Sequence, residues 1–193
     1  METIRENEVN INEIITALEN GAVLVCPTDT VYGLICDATN KKAVEKIYKI
    51  KKRQKSKPLG VFVRNIEMTK RYADISRDQE KKLKESWPGA ITFILKAKQI
   101  EDGPLSVLVY KNGTIGMRMP DYNLIQKIFK EFNKPIAQTS VNISGQPPIS
   151  KISDIIEQFG RLNILAINGG DLRKAELSKI IDLTKDKIKI LRK

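Results

Sequence analysis

The residues able to do chemistry in this chain fall into a few short segments, each at the edge of an apolar run. Pro27–Leu34 (PTDTVYGL) sets Thr28, Asp29 and Thr30 directly after a buried-strand pattern, with Gly33 relaxing the backbone. Strand ends of this kind hold ligands in open α/β sheets; equally, Thr and Asp can satisfy local backbone groups in a turn. Lys51, Lys52, Arg53, Lys55 and Lys57 gather at a helix end just before a strand. Cations there complement the helix C-terminus and can grip a triphosphate, or they form a solvated basic face. Thr114–Pro120 (TIGMRMP) places Arg118 in an apolar strand. A guanidinium in that setting needs an acidic partner, either internal or supplied by a ligand carboxylate or phosphate. Gln138–Gly145 (QTSVNISG) is a dense row of hydroxyls and amides after a strand, suited to a polar ligand or to a hydrogen-bonded loop. Leu177–Leu183 (LSKIIDL) adds Ser178 and Asp182, with Arg192 further on.

What is missing narrows the chemistry. The chain of 193 residues contains no histidine, which excludes Ser-His-Asp and Cys-His catalysis and His-ligated zinc. Asp, Glu, Lys, Arg, Tyr, hydroxyls and backbone groups remain, a set suited to positioning and charge neutralisation, as in transfer at phosphorus. Neither a Gly-x4-Gly-Lys-Ser/Thr loop nor a Gly-x-Gly-x-x-Gly turn is present, so any ATP site is built another way. Cys26 and Cys36 lie in apolar surroundings without metal-ligand spacing, which fits a reduced cytosol. The start, METIRENEVN, has no apolar signal core, and no run approaches a membrane span. These features predict a cytoplasmic protein with no membrane partner. A net charge of +11 favours anionic partners such as nucleotides or RNA, or reflects a Lys-rich surface.

The elements that must position these residues follow from periodicity. Ile11, Ile14, Ile15 and Leu18 predict a helix stopped at Asn20-Gly21, and Ala22–Cys26 a buried strand. Val44, Ile47 and Tyr48 mark a helix to about Lys51, and Leu59–Val63 a strand. A polar helix spans about Ser76 to Glu85; a strand follows at Ile91–Leu95. Val107–Tyr110 and Ile115–Met119 flank Asn112-Gly113, a hairpin signal. Leu124–Phe132 is the clearest amphipathic helix, with Asp121 as N-cap. Pro135–Thr139 and Ile164–Ile167 read as strands on either side of a helix carrying Ile152, Ile155, Ile156 and Phe159. Ile180–Leu183 and Ile188–Leu191 read as final strands around Lys185-Asp186-Lys187. Interleaved strands and helices with a hairpin predict one α/β domain over residues 1–193, with a mixed sheet.

In this order, the five segments resemble the YrdC family of threonylcarbamoyl-AMP synthases from about Gly21 to Arg192. PTDTVYGL followed by Lys-x-Arg at Lys51 and Arg53 is the specific signature; WPG at Trp87–Gly89, Arg-x-Pro at Arg118 and Pro120, and Ser140–Gly145 add to it. The resemblance implies a twisted open mixed sheet with flanking helices and a central basic cavity. It implies that L-threonine, bicarbonate and ATP, with Mg²⁺, become threonylcarbamoyl-AMP and pyrophosphate. A downstream threonylcarbamoyl-transferase complex then modifies tRNA. By the same resemblance Thr30, Arg118, Gln138 (chiefly its backbone) and Ser178 would meet threonine. Lys51, Arg53, Lys57, Thr114, Ser140, Asn142, Pro148 and Arg192 would meet ATP. No residue is assigned as catalytic, and the metal ligands, Asp29, Asp37 or Asp182 among the candidates, stay open.

The chain departs from the family pattern at three places. Val141 stands where alanine is usual, Lys179 where many members have Thr, and Phe62 where His is frequent. Phe62 bears on the fit of threonine. The chain resembles the short, stand-alone form of the family. The alternative is a noncatalytic paralogue of the same fold that binds tRNA or double-stranded RNA through phosphate contacts.

Overall fold

The computed structural model describes residues 1–98, 105–172, 176–185 and 188–193. The first half runs β1 (Glu2–Arg5), α1 (Ile11–Glu19), β2 (Leu24–Cys26), β3 (Gly33–Asp37), α2 (Lys41–Lys51) and β4 (Gly60–Phe62). Then come α3 (Ile66–Tyr72), β5 (Ala73–Asp74), α4 (Arg77–Ser86), β6 (Ile91–Ala97), β7 (Tyr110–Lys111) and β8 (Thr114–Arg118). The last part holds α5 (Asn123–Glu131), β9 (Ile136–Ser140), α6 (Ile152–Phe159), β10 (Leu165–Asn168), β11 (Lys179–Asp182) and β12 (Lys189–Arg192).

Among the described residues twelve strands make one mixed sheet, whose main path is β1-β10-β2-β3-β9-β4-β8-β6-β11-β12. The pairs β1/β10, β10/β2, β4/β8 and β11/β6 are parallel and the rest antiparallel. The centre is buried on both faces: every residue of β2 and β3 is buried, so these strands read as apolar runs without alternation up to Asp37 at the end of β3. The helices are set by local chemistry. Asn10, Asn40 and Asn65 accept from backbone N–H groups in the first turns of α1, α2 and α3. Ser76 and Gln79 form a reciprocal capping box on α4. Such caps stabilise a helix by about 1 kcal/mol each. No described helix is long and apolar enough to cross a membrane.

Several expectations change in the folded chain. Residues 107–109 form a 3₁₀ turn, so the first limb of the predicted hairpin is only Tyr110–Lys111. The turn itself stands, with Asn112 and Gly113 at φ 50° and 70°. Asp121 does not cap α5; the N-cap is Tyr122, without a side-chain bond, and the Asp121 N–H donates to Asp29 Oδ2 at 3.1 Å. β1, β3 and α3 are elements the periodicity did not indicate. Of the predicted turn Lys185-Asp186-Lys187, only Lys185 falls within the described residues.

Candidate active site

One face of the central strands carries a cavity of about 540 Å³, walled by the Thr28–Val31 loop, the residues leading into β4, and strands β6, β8, β9, β11 and β12. Its lining includes the cations Arg53, Lys111, Arg118, Lys185 and Arg192 against the carboxylate of Asp182. The strand register explains which side chains face it. Phe62 of β4 pairs with Arg118 of β8, and Thr92 of β6 pairs with Ile180 of β11. Alternation then turns Thr114, Gly116 and Arg118 to one face, as it does Ser178, Ile180 and Asp182. Gly60 and Gly116 leave the floor without side chains.

Arg118 is 2% exposed and held on three sides. Its Nη2 forms an ion pair with Asp29, its Nη1 donates to Thr30 Oγ1 at 3.1 Å and its Nε to the Gly89 carbonyl at 3.0 Å. The Phe62 ring lies 5.5 Å beneath the guanidinium carbon, a cation–π contact. Burial pushes the guanidinium pKa down, and Asp29 opposes that shift. Guanidinium has five N–H donors, so hydrogens on both terminal nitrogens remain for a ligand. The loop that brings Asp29 is itself fixed: Thr28 Oγ1 donates to the Val31 carbonyl at 2.7 Å and accepts from the Thr30 N–H at 3.1 Å.

The basic segment after α2 is divided in its roles. Lys51 is 1% exposed, and its Nζ donates to the carbonyls of Ser140 and Asn142, the latter at 2.8 Å, and to Asn142 Oδ1 at 2.9 Å. All three ammonium donors are thereby used. Burial, then the charge of Arg53, lowers its pKa to about 7. Lys51 therefore ties the Ser140–Asn142 loop in place and does not line the cavity. Arg53 does line it, braced by the carbonyls of Lys57 and Pro58, each at 2.9 Å from a guanidinium nitrogen. Lys57 contributes that carbonyl while its side chain is exposed.

At the far wall Thr92 Oγ1 and Ser178 Oγ are hydrogen-bonded at 2.8 Å, and Arg192 Nη2 donates to the same Ser178 hydroxyl at 3.1 Å. Burial lowers the pKa of Arg192 as well. Asn142 is spent internally: its Nδ2 donates to the carbonyls of Ile143 and Gln146, and its Oδ1 accepts from Ser140 Oγ at 2.7 Å.

The fold thus gathers Thr30, Arg53, Thr114, Arg118, Gln138, Ser140, Ser178 and Arg192 around one cavity, while Lys51, Lys57, Asn142 and Pro148 do not line it. The sequence reading missed Thr92, Gly60 and Gly116. An isolated glycine within a strand pattern signals close approach of backbone and ligand, and would have flagged the last two. Among the described residues no group of three or more His, Cys, Asp or Glu side chains could hold a metal. The wall can clamp a carboxylate at Arg118 and phosphates along Arg53 and Ser140.

The mixed α/β sheet matches solved structures of a known class. The Sua5/YciO/YrdC family model, described as "Telomere recombination", matches residues 16–193, and the chain belongs to that family. The Photobacterium profundum threonylcarbamoyl-AMP synthase is 34% identical over 154 residues, 78% of this chain and 82% of that protein. The Aliivibrio fischeri protein of the same name is 30% identical over 176 residues, 90% of this chain and 94% of that one. The crystal structure of P. abyssi Sua5 complexed with L-threonine superposes with a TM-score of 0.86 at 28% identity; it covers 99% of this chain, which spans 56% of that one. E. coli YciO superposes with a TM-score of 0.85 at 27% identity, covering 100% of this chain and 94% of its own.

Proposed function

We propose that this protein is a threonylcarbamoyl-AMP synthase, joining L-threonine, bicarbonate and ATP into threonylcarbamoyl-AMP with release of pyrophosphate. The observation that carries this reading is a single cavity holding two anion clamps: Arg118, anchored by Asp29 yet with donors to spare, and the Arg53–Ser140 side. The family membership and the threonine complex of P. abyssi Sua5 support it.

Arg118 binds the threonine carboxylate through its remaining N–H groups, and Thr30 and Ser178 orient the amino acid. Arg53, Ser140, Thr114 and Arg192 hold the nucleotide, and Lys51 acts on it only through the loop it ties. The threonine nitrogen takes up the carboxyl group of bicarbonate with loss of water, and an oxygen of the resulting carbamate then meets the α-phosphorus of ATP. The residues lower the barrier by placing both anions and neutralising their charge. Mg²⁺ enters with ATP as part of the substrate. The cavity fits that role better than a resident ion, since Asp29 is committed to Arg118 and Asp182 Oδ1 accepts from the N–H and hydroxyl of Thr184. The product passes to a transferase complex that modifies tRNA in the cytoplasm.

Pyrophosphate release by the purified protein, with bicarbonate and Mg²⁺, tests the reading. Release only with L-threonine, not with L-serine or without amino acid, is expected. Its absence under all conditions, from folded protein, would transfer the assignment to the RNA-binding paralogue. The net charge of +11 favours that second reading, which requires affinity for RNA that falls steeply with salt and needs no ATP.

A further inference from the structure

The floor of the cavity holds a polar side chain, that of Gln138, which none of the described residues engages. Gln138 of β9 stands opposite Gly60 of β4. Val61 stands beside Met117, which sets Gly116 next to Gly60. A Cβ built on Gly60 would fall 2.5 Å from Gln138 Nε2, so the carboxamide lies across the bare glycine. It lines the cavity, half-buried, and its side chain makes no hydrogen bond to any of the described residues. The backbone of β9 is paired on both edges, to β3 and β4. What Gln138 offers the cavity is therefore its side chain, rather than the backbone contact the family resemblance implies.

Its place in the sheet gives this amide a purpose. Two residues further along β9 is Ser140, on the phosphate side. Two residues along β8 from Gly116, in opposite directions, lie Arg118 and Thr114. The Gln138–Gly60–Gly116 row thus runs between the carboxylate clamp and the nucleotide clamp, where the two substrates must meet.

We infer that the Gln138 carboxamide is a catalytic residue of the adenylyl transfer, its Nε2 donating to a nonbridging oxygen of the α-phosphoryl group. The inference rests on the synthase reading above. A lone pair of the carbamate oxygen forms the new bond to the α-phosphorus. The bond from that phosphorus to the bridging oxygen breaks, and pyrophosphate leaves with the electron pair. Gln138 transfers no proton; it holds a donor where negative charge is redistributed.

Two variants of the full chain, Gln138→Ala and Gly60→Ala, are compared with the wild type by pyrophosphate-release kinetics and thermal melting. Gln138→Ala should lower kcat about 100-fold, with KM for ATP and threonine changed less than about threefold, the pattern of an interaction made only in the transition state. Gly60→Ala leaves Gln138 in the chain but drives its amide aside, and should lower kcat about tenfold at a nearly unchanged melting temperature. A folded Gln138→Ala variant with kcat within about threefold of wild type, or a loss confined to KM, overturns the inference. If Gln138→Ala does not fold, wild-type kcat in Gly60→Ala overturns it. A wild type that releases no pyrophosphate sinks the synthase reading and this inference together; an active wild type with unaffected variants sinks only the role of Gln138.

Discussion

Arg118 and Lys51 are both buried cations, 2% and 1% exposed, yet they are satisfied in opposite ways. Arg118 has a carboxylate partner, Asp29, and unused donors facing the cavity. Lys51 has no carboxylate within ion-pair distance among the described residues; three oxygens of the Ser140–Asn142 segment take all its donors. A planar fork with five donors can be anchored and still bind; an ammonium with three, all engaged, can only support. The comparison separates a clamp from a strut within a motif set where sequence alone gave both residues to substrates.

The sharpest break of that comparison is Arg118→Ala. It removes the clamp and leaves Asp29 unpaired, and threonine-dependent pyrophosphate release should fall on the order of 1000-fold. A rate near wild type would overturn the placement of the threonine site. Arg118→Lys tests whether charge alone suffices. One ammonium cannot reach Asp29, Thr30 and Gly89 and still serve a ligand, so kcat/KM for threonine should fall about 100-fold, and recovery to within a few-fold of wild type would contradict the clamp.

Lys51→Met removes the strut. Titration calorimetry should show ATP binding about tenfold weaker, and denaturant unfolding a loss of about 1–3 kcal/mol, since three oxygens lose their donor. Complete loss of ATP binding in a folded variant would return Lys51 to the phosphates. The smallest effect is a pH slope. The pKa of Lys51 is about 7 when folded, below its ordinary 10.5, so the unfolded chain binds more protons between these values. Stability should then rise with pH across that window. Wild type should gain on Lys51→Met as pH rises from about 7 toward 10.5; a flat difference would mean that the buried amine is not destabilised as an ammonium.

Much of the architecture was legible. The polar stretch from about Ser76 to Glu85 announced α4, the Leu124–Phe132 stripe announced α5, and Asn112-Gly113 announced its turn. The failures have physical causes. β3 is buried on both faces and shows no alternation, and its polar lead-in, Thr28–Thr30, disguised it. β1 is a largely exposed edge strand, ETIR, with no apolar pattern to read. In α3 the burial of Ile66, Met68, Thr69 and Tyr72 depends on what packs over them, and the run NIEMTKRY is polar enough to pass for a loop. Asp121 had the side chain for a cap but was drawn to Asp29 through its backbone.

By itself the sequence determined the chemical repertoire: no histidine, abundant cations, hydroxyls at strand ends, and an ordered set of motifs that marks the family. These are properties of residue type and spacing, which survive in an unfolded chain. Only the tertiary structure decided how the donors were spent. Arg118 meets Asp29, Lys51 meets Asn142 and Thr92 meets Ser178 at separations of 86 to 91 residues along the chain. Strand register aims Arg118 and Thr92, since a shift of one residue would turn each to the other face, while the loops holding Asp29, Asn142 and Ser178 and the end of α2 at Lys51 are brought to them by the packing of the sheet and its helix.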